Sequence, residues 1–202
     1  LYSFVLNNLR PIFSLFLRSL MLIVHAHPHP SQSRVVKDLL SVLQSRPGAE
    51  VRSLYQLYPD FDIDVDTEQQ ALQRAQHIVW LAPVYWYSVP ALMKHWIDQV
   101  LTHGWAYGRG GEALKGKACW WVTSAGGSES TYTPEGMHKR PFADYGTPIE
   151  HTARFCGMQW FPPFVVHGGH TTAPEVLSGW CASLLTQCEA FEGLRSQGGS
   201  AP

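Results

Sequence analysis

The chain has 202 residues, 45% of them hydrophobic and 12% aromatic, which is enough for one well-packed α/β domain and short for two. Lys plus Arg 15 against Asp plus Glu 16 leaves a formal charge of −1 with no basic stripe, which excludes a phosphate-backbone footprint for nucleic acid. Cys119, Cys156, Cys181 and Cys188 form no C-x-x-C pair and sit mostly in apolar-periodic segments, so reduced core thiols of a cytoplasmic protein are expected in place of a disulfide framework.

Residues 1–20 are apolar, but Arg10, Pro11 and Arg18 interrupt any spanning helix of about 20 residues. With Met21 directly before the first strand, the segment is expected to be an extension outside the domain and outside the native product; the alternative is an amphipathic helix on a membrane surface. The domain proper is placed at 21–192, and the polar tail 193–202 is expected to be disordered.

An apolar strand at 22–26 runs into HPHPSQS and then a helix with Val36, Leu39, Leu40 and Leu43 on one face. Pro47-Gly48 breaks the chain before a second strand at 50–54 and the polar-aromatic connection YQLYPDFDID. Asp66 with Gln69 three residues later predicts a capping box that opens a helix through Ala75. HIVWLA, 77–82, is a buried third strand. After it, Ser88 is the expected cap of a helix with Pro90 in its first turn and Val89, Leu92, Met93, Trp96, Ile97, Val100 and Leu101 at helical spacing. A fourth strand at 118–123 leads into SAGGSES. A helix at 148–155, an edge strand at 161–167 marked by two prolines, and a last helix at 176–191 complete the pattern. Five strands alternating with helices predict a parallel sheet in a doubly wound three-layer domain, with ligands outside the carboxyl ends of the strands.

Three loops of unusual chemistry fall at those ends. In the first, His27 leads to a helix N-terminus where Ser33, Arg34 and the amides of Val35 and Val36 suit a phosphate, against the plainer reading of an N-cap. In the second, Pro83, Val84, Tyr85, Trp86 and Tyr87 put three consecutive aromatics on a turn that cannot bury them all; the choice is between a planar-ligand site and an interface patch. In the third, Ala125, Gly126, Gly127 and Ser128 let backbone donors approach a ligand closely. Tyr132 and His138 follow on a polar loop, as a hydrogen-bonding and proton-supplying pair or as a solvated one. His25, His27 and His29 alternate, but Pro28 and Pro30 oppose a tight cage, so no metal site is expected.

Taken together, HAHPHPSQS, APVYWYSVPALMKHWIDQVLTHGWAYG and SAGGSESTYTPEGMH resemble the flavodoxin-like NAD(P)H quinone oxidoreductases over 21–192. RSLYQLYPDFDID is similar to the bacterial branch of ancillary flavoproteins of glutathione-regulated potassium efflux systems. The resemblance implies a flavodoxin-like fold with a five-stranded parallel sheet and a homodimer with its site at the subunit boundary. It also implies FMN as cofactor, favoured over FAD because no adenine site is evident, NAD(P)H as donor and a quinone as acceptor in ping-pong two-electron transfer.

By the same resemblance His27, Ser33, Arg34, Val35 and Val36 belong to the flavin phosphate and ribityl loop, residues 83–87 to the wall of the isoalloxazine, and residues 125–128 to its polar edge. Tyr132 and His138 stabilise charge as hydride arrives, and Tyr107 lines the substrate pocket from the partner subunit. Two departures stand out: Val35 and Val36 replace an asparagine usual in the family, and Ala125 replaces a threonine often found before the paired glycines. The branch further implies docking on the cytoplasmic face of a potassium efflux antiporter, peripheral to the inner membrane, with Tyr55, Tyr58 and Phe61 as the candidate patch. The alternative functions are a regulatory subunit with minor redox activity and a one-electron flavodoxin-type carrier; the near-neutral charge argues against the last.

Overall fold

The computed structural model describes residues 21–169 and 171–194. Strands β1 (Met21–His25), β2 (Ala49–Ser53), β3 (His77–Pro83), β4 (Ala118–Ser124) and β5 (Gln159–Val166) pair in one all-parallel sheet of order β2-β1-β3-β4-β5. The helices are α1 (Val35–Gln44), α2 (Leu54–Leu57), α3 (Val65–Arg74), α4 (Ala91–Val100), α5 (Ala143–Phe155) and α6 (Pro174–Glu192). This is the expected flavodoxin-like three-layer fold, and the order reverses between β1 and β3, where such sheets bind ligands.

Every residue of β1, β3 and β4 is buried, as a strand covered on both faces requires. Alternation splits their side chains between two cores. Leu22, Val24, Ile78, Trp80 and Trp121 face α3, α4 and α5, while Met21, Ile23, Val79, Leu81 and Trp120 face α1 and α6. The two prolines of β5 lie on an edge strand as expected. The register slips there from Trp120↔Phe161 to Val122↔Phe164, and the Trp120 indole donates to the Pro162 carbonyl at 2.9 Å.

Several local expectations are corrected. The cap of α3 is Asp64, whose carboxylate accepts from the Thr67 amide (3.0 Å) and hydroxyl (2.7 Å), and no Asp66–Gln69 capping box forms. The Gln69 amide instead donates to the Val100 carbonyl at 2.9 Å, tying α3 to the end of α4. Ser88 does not cap α4; Pro90 stands at its N-cap position with no side-chain hydrogen bond. The connection after β2 contains α2, and α5 begins five residues earlier than expected, carrying Pro148 inside it. Gly193 ends α6 and the His77 imidazole donates to the Leu194 carbonyl at 3.0 Å; residues 1–20 and 195–202 lie outside the described residues.

One buried polar network braces the α3–α4 face. Glu68, with no exposed surface, accepts from Arg52 Nε (3.0 Å), the Tyr58 hydroxyl (2.6 Å) and the Trp96 indole (2.9 Å). Tyr58 therefore belongs to the core and is removed from the supposed docking patch.

Candidate functional site

The three loops singled out above meet at the carboxyl edge of β1, β3 and β4, and a fourth, after β5, joins them. Backbone hydrogen bonds pin each to the sheet. Val84 N–H donates to the Ser124 carbonyl (2.8 Å), Ala125 N–H to Val166 (2.9 Å), and Gly169 N–H to Ala125 (2.9 Å). Between them lies a cavity of about 260 Å³. His27, Ser33, Arg34, Val35 and Val36 line one side, Pro83, Val84 and Tyr85 another, and Ala125 and Gly126 the third.

The α1 end supplies donors. Ser33 Oγ accepts from the Lys37 amide at 3.1 Å and so caps the helix, while the amides of Val35 and Val36 have no intrahelical acceptor by their position in the first turn. The Arg34 guanidinium reaches the Thr172 carbonyl at 3.4 Å, which carries a positive charge onto this rim and joins it to the loop after β5. Helix-terminal amides, a guanidinium and a flanking aromatic make a donor set that fits a phosphate-bearing group with a planar extension. Val35 and Val36 present apolar side chains and helix-terminal backbone amides at this cavity.

Trp86, Tyr87, Gly127 and Ser128 stand outside the cavity lining. Tyr85 and Ser88 exchange two backbone hydrogen bonds of 3.0 Å, closing a two-residue turn with Trp86 at φ 47° and Tyr87 at φ 64°. Turns with positive φ at both central positions favour Asn and Gly, and a bulky residue pays about 1–2 kcal/mol at each. Trp86 is 92% exposed. The Tyr87 ring instead stacks on Tyr145 (centroids 5.0 Å apart, 26°) and meets His138 edge-on (5.6 Å). Such a stacked pair adds about 0.5–1.5 kcal/mol beyond its buried area, which offsets much of one strained position.

Tyr132 and His138 come together as a stack, 4.3 Å between centroids and 22° apart, with Tyr132 only 8% exposed. Gly127 lies directly under them: a Cβ there would stand 2.6 Å from Thr131 Oγ1 and 3.2 Å from the Tyr132 ring. Burial, then the Tyr145 and Tyr87 hydroxyls, push the Tyr132 phenol up, with the Gly127 backbone pulling the other way. It stays neutral and able to donate. His25, hydrogen-bonded to Ser53 at 2.9 Å, is lowered to about 4 by burial and then by His27; burial also lowers His27. Among the described residues no group of three His, Cys, Asp or Glu is placed to hold a metal ion.

Tyr107 is not at this cavity. It packs on Phe155 (5.2 Å) and His103 (5.5 Å) and lines a second cavity of about 380 Å³ between α4 and α5. Reasoning from sequence missed His29, Gln32, Ser124 and Gly169 in the first cavity. Gly169 carried a signal, the paired glycines after β5 that echo Gly126-Gly127. Tyr145, Phe142 and His167, which surround the Tyr132 ring, carried none, because only the fold brings them there.

The sequence profile of a family described as having a flavodoxin-like fold matches residues 20–187. Among solved structures, a chain of a thermophilic tryptophan halogenase from Streptomycin violaceusniger is 37% identical, with 81% of this chain and 95% of that one covered and a TM-score of 0.78. The general stress protein 14 of Treponema denticola, in complex with FMN, is 35% identical over 85% of this chain and 99% of that one, TM-score 0.80. An NADPH-quinone reductase from P. pentosaceus is 26% identical over 83% and 96%, TM-score 0.75. These names describe different chemistries on one fold, so the fold alone does not select the reaction and the site has to.

Proposed function

Since this chain belongs to the flavodoxin-like fold family over most of its length, we propose that it is an FMN-dependent NAD(P)H:quinone oxidoreductase. The observation that carries the reading is the meeting of a phosphate-type donor set, an aromatic turn and a glycine loop around one cavity, with the Tyr132–His138 stack seated on Gly127. The FMN-bound relative and the quinone reductase relative support it. FMN would supply two-electron chemistry, taking hydride from NAD(P)H and passing both electrons to a quinone in turn. The chain's own residues bind and orient: the α1 amides, Ser33 and Arg34 hold the phosphate, Pro83, Val84 and Tyr85 wall one side, and Gly126 brings the backbone close on the other. Tyr132, kept neutral by burial, donates toward developing negative charge, and the His138 ring stacked on it holds the phenol in place.

The homodimer is part of this proposal. Phe155 is 63% exposed beside Tyr107 in the uncovered groove between α4 and α5, and a second copy there would bury both. The regulatory reading, docking on a potassium efflux antiporter, rests on the resemblance of the 52–64 segment and on exposed Leu57 and Phe61. No helix among the described residues is long and apolar enough to cross a membrane. Four free cysteines, three of them buried, support placement in the cytoplasm.

The test is NAD(P)H oxidation by the purified protein with and without FMN and a soluble naphthoquinone. Quinone-dependent oxidation that requires FMN is the expected result. FMN binding without any oxidation would favour the regulatory reading, and neither would remove the enzyme.

A further inference from the structure

We infer that Tyr145 is a positioning residue whose ring clasps Tyr87, holds the Trp86–Tyr87 turn in its left-handed conformation, and thereby fixes the aromatic wall beside the first cavity. The role of that wall in substrate fit rests on the function proposed above; the clasp itself does not. Two backbone hydrogen bonds between Tyr85 and Ser88 close the turn, and ring contacts supply the rest. Among the described residues Trp86 makes no ring contact, and the ring contacts of Tyr87 are with Tyr145 and His138. His138 sits on a loop that itself contains a left-handed residue, Lys139 at φ 56°.

Tyr145 is anchored differently. It lies in the first turn of α5, and the next residue, Gly146, is packed so closely on the Trp121 ring that a Cβ there would stand 3.3 Å from it. The helix is therefore seated on the core strand β4, and its tyrosine presents a fixed face to a strained turn. The same ring lies edge-on to Tyr132 at 6.0 Å, so the clasp also links the wall to the Tyr132–His138 stack.

Amide hydrogen exchange reads the clasp without flavin, because the Tyr85 and Ser88 amides are protected by the hydrogen bonds that close the turn. Tyr145→Ala is expected to speed their exchange about tenfold while β3 and β4 amides keep their protection, and Tyr145→Phe, which keeps the ring, to leave it within about twofold. Adding Trp86→Asn to Tyr145→Ala should restore protection, since asparagine tolerates the left-handed region. In the FMN-loaded enzyme Tyr145→Ala should raise KM for the nicotinamide donor about fivefold with kcat within about twofold. Unchanged exchange in Tyr145→Ala overturns the clasp whether or not flavin binds, as does an equal rise in Tyr145→Phe or no recovery with Trp86→Asn. The expected exchange pattern in a protein that binds no flavin supports the clasp and sinks the proposed function instead.

Discussion

Gly127 shows how tightly the chemistry is tied to one backbone position. A methyl group there would stand 2.6 Å from Thr131 Oγ1 and 3.2 Å from the Tyr132 ring, so Gly127→Ala must turn the Thr131 side chain and shift the Tyr132 ring by a few tenths of an ångström. Turnover is expected to fall while FMN stays bound, because the phosphate-binding residues of α1 are on a different loop; loss of bound flavin in step with turnover would place Gly127 in the binding site itself. Tyr132→Phe with His138→Gln removes the phenol donor and the titratable imidazole while keeping the aromatic ring at 132. Stopped-flow reduction by NAD(P)H should slow by about 10²–10³, the cost typical of one lost charge-stabilising donor, and wild-type rates would remove the pair from the mechanism. Residue chemistry alone makes Tyr132 and His138 a polar pair after a glycine loop, and the family resemblance implies their charge-stabilising role. What makes them a unit, the stack and the ring of Tyr145, Phe142 and His167 around it, comes from elements far apart in the chain.

At the scale of elements, helical periodicity and buried apolar runs placed every strand and the long helices, because burial on one face or two leaves a period in the sequence. The errors have local causes. α5 was read too short since Gly146 and Pro148 interrupt its signal, yet Gly146 is what lets the helix seat on Trp121. Glu68 is the fully buried centre of the α3–α4 brace, a role set by partners on β2 and α4 that helical spacing does not reveal. Removing it leaves Arg52 without its carboxylate and two donors unsatisfied. Glu68→Ala should therefore cost about 3–5 kcal/mol in urea denaturation, the range for breaking a buried pair. Asp98→Ala, which breaks an exposed α4 pair with Lys94, should change stability by about 0.5 kcal/mol or less. Comparable losses in the two variants would contradict the brace.

For the whole molecule, burial of histidines makes stability depend on pH. His25, 6% exposed, titrates near 4 in the folded chain against an ordinary 6.5, so between those values the unfolded chain binds more protons. The contribution is complete above pH 6.5, is lost as pH falls toward 4, and amounts to about 3 kcal/mol. His27, His77 and His167 are lowered by burial as well and act in the same direction. Denaturation midpoints should drop through this window, and His25→Asn should flatten the slope; an equally steep slope in that variant would assign it to other groups. The same arrangement that buries His25 in β1 brings four loops to one sheet edge around the cavity proposed to hold FMN. FMN and riboflavin share the planar ring and differ in the phosphate, so their affinities compared by fluorescence titration test it most directly. Charge-assisted contacts from α1 and Arg34, worth about 1.5–3 kcal/mol each, predict FMN binding at least about 100-fold tighter than riboflavin, with Arg34→Ala closing about tenfold of the gap. Equal affinity for the two, or binding of neither, would contradict the assignment of this cavity.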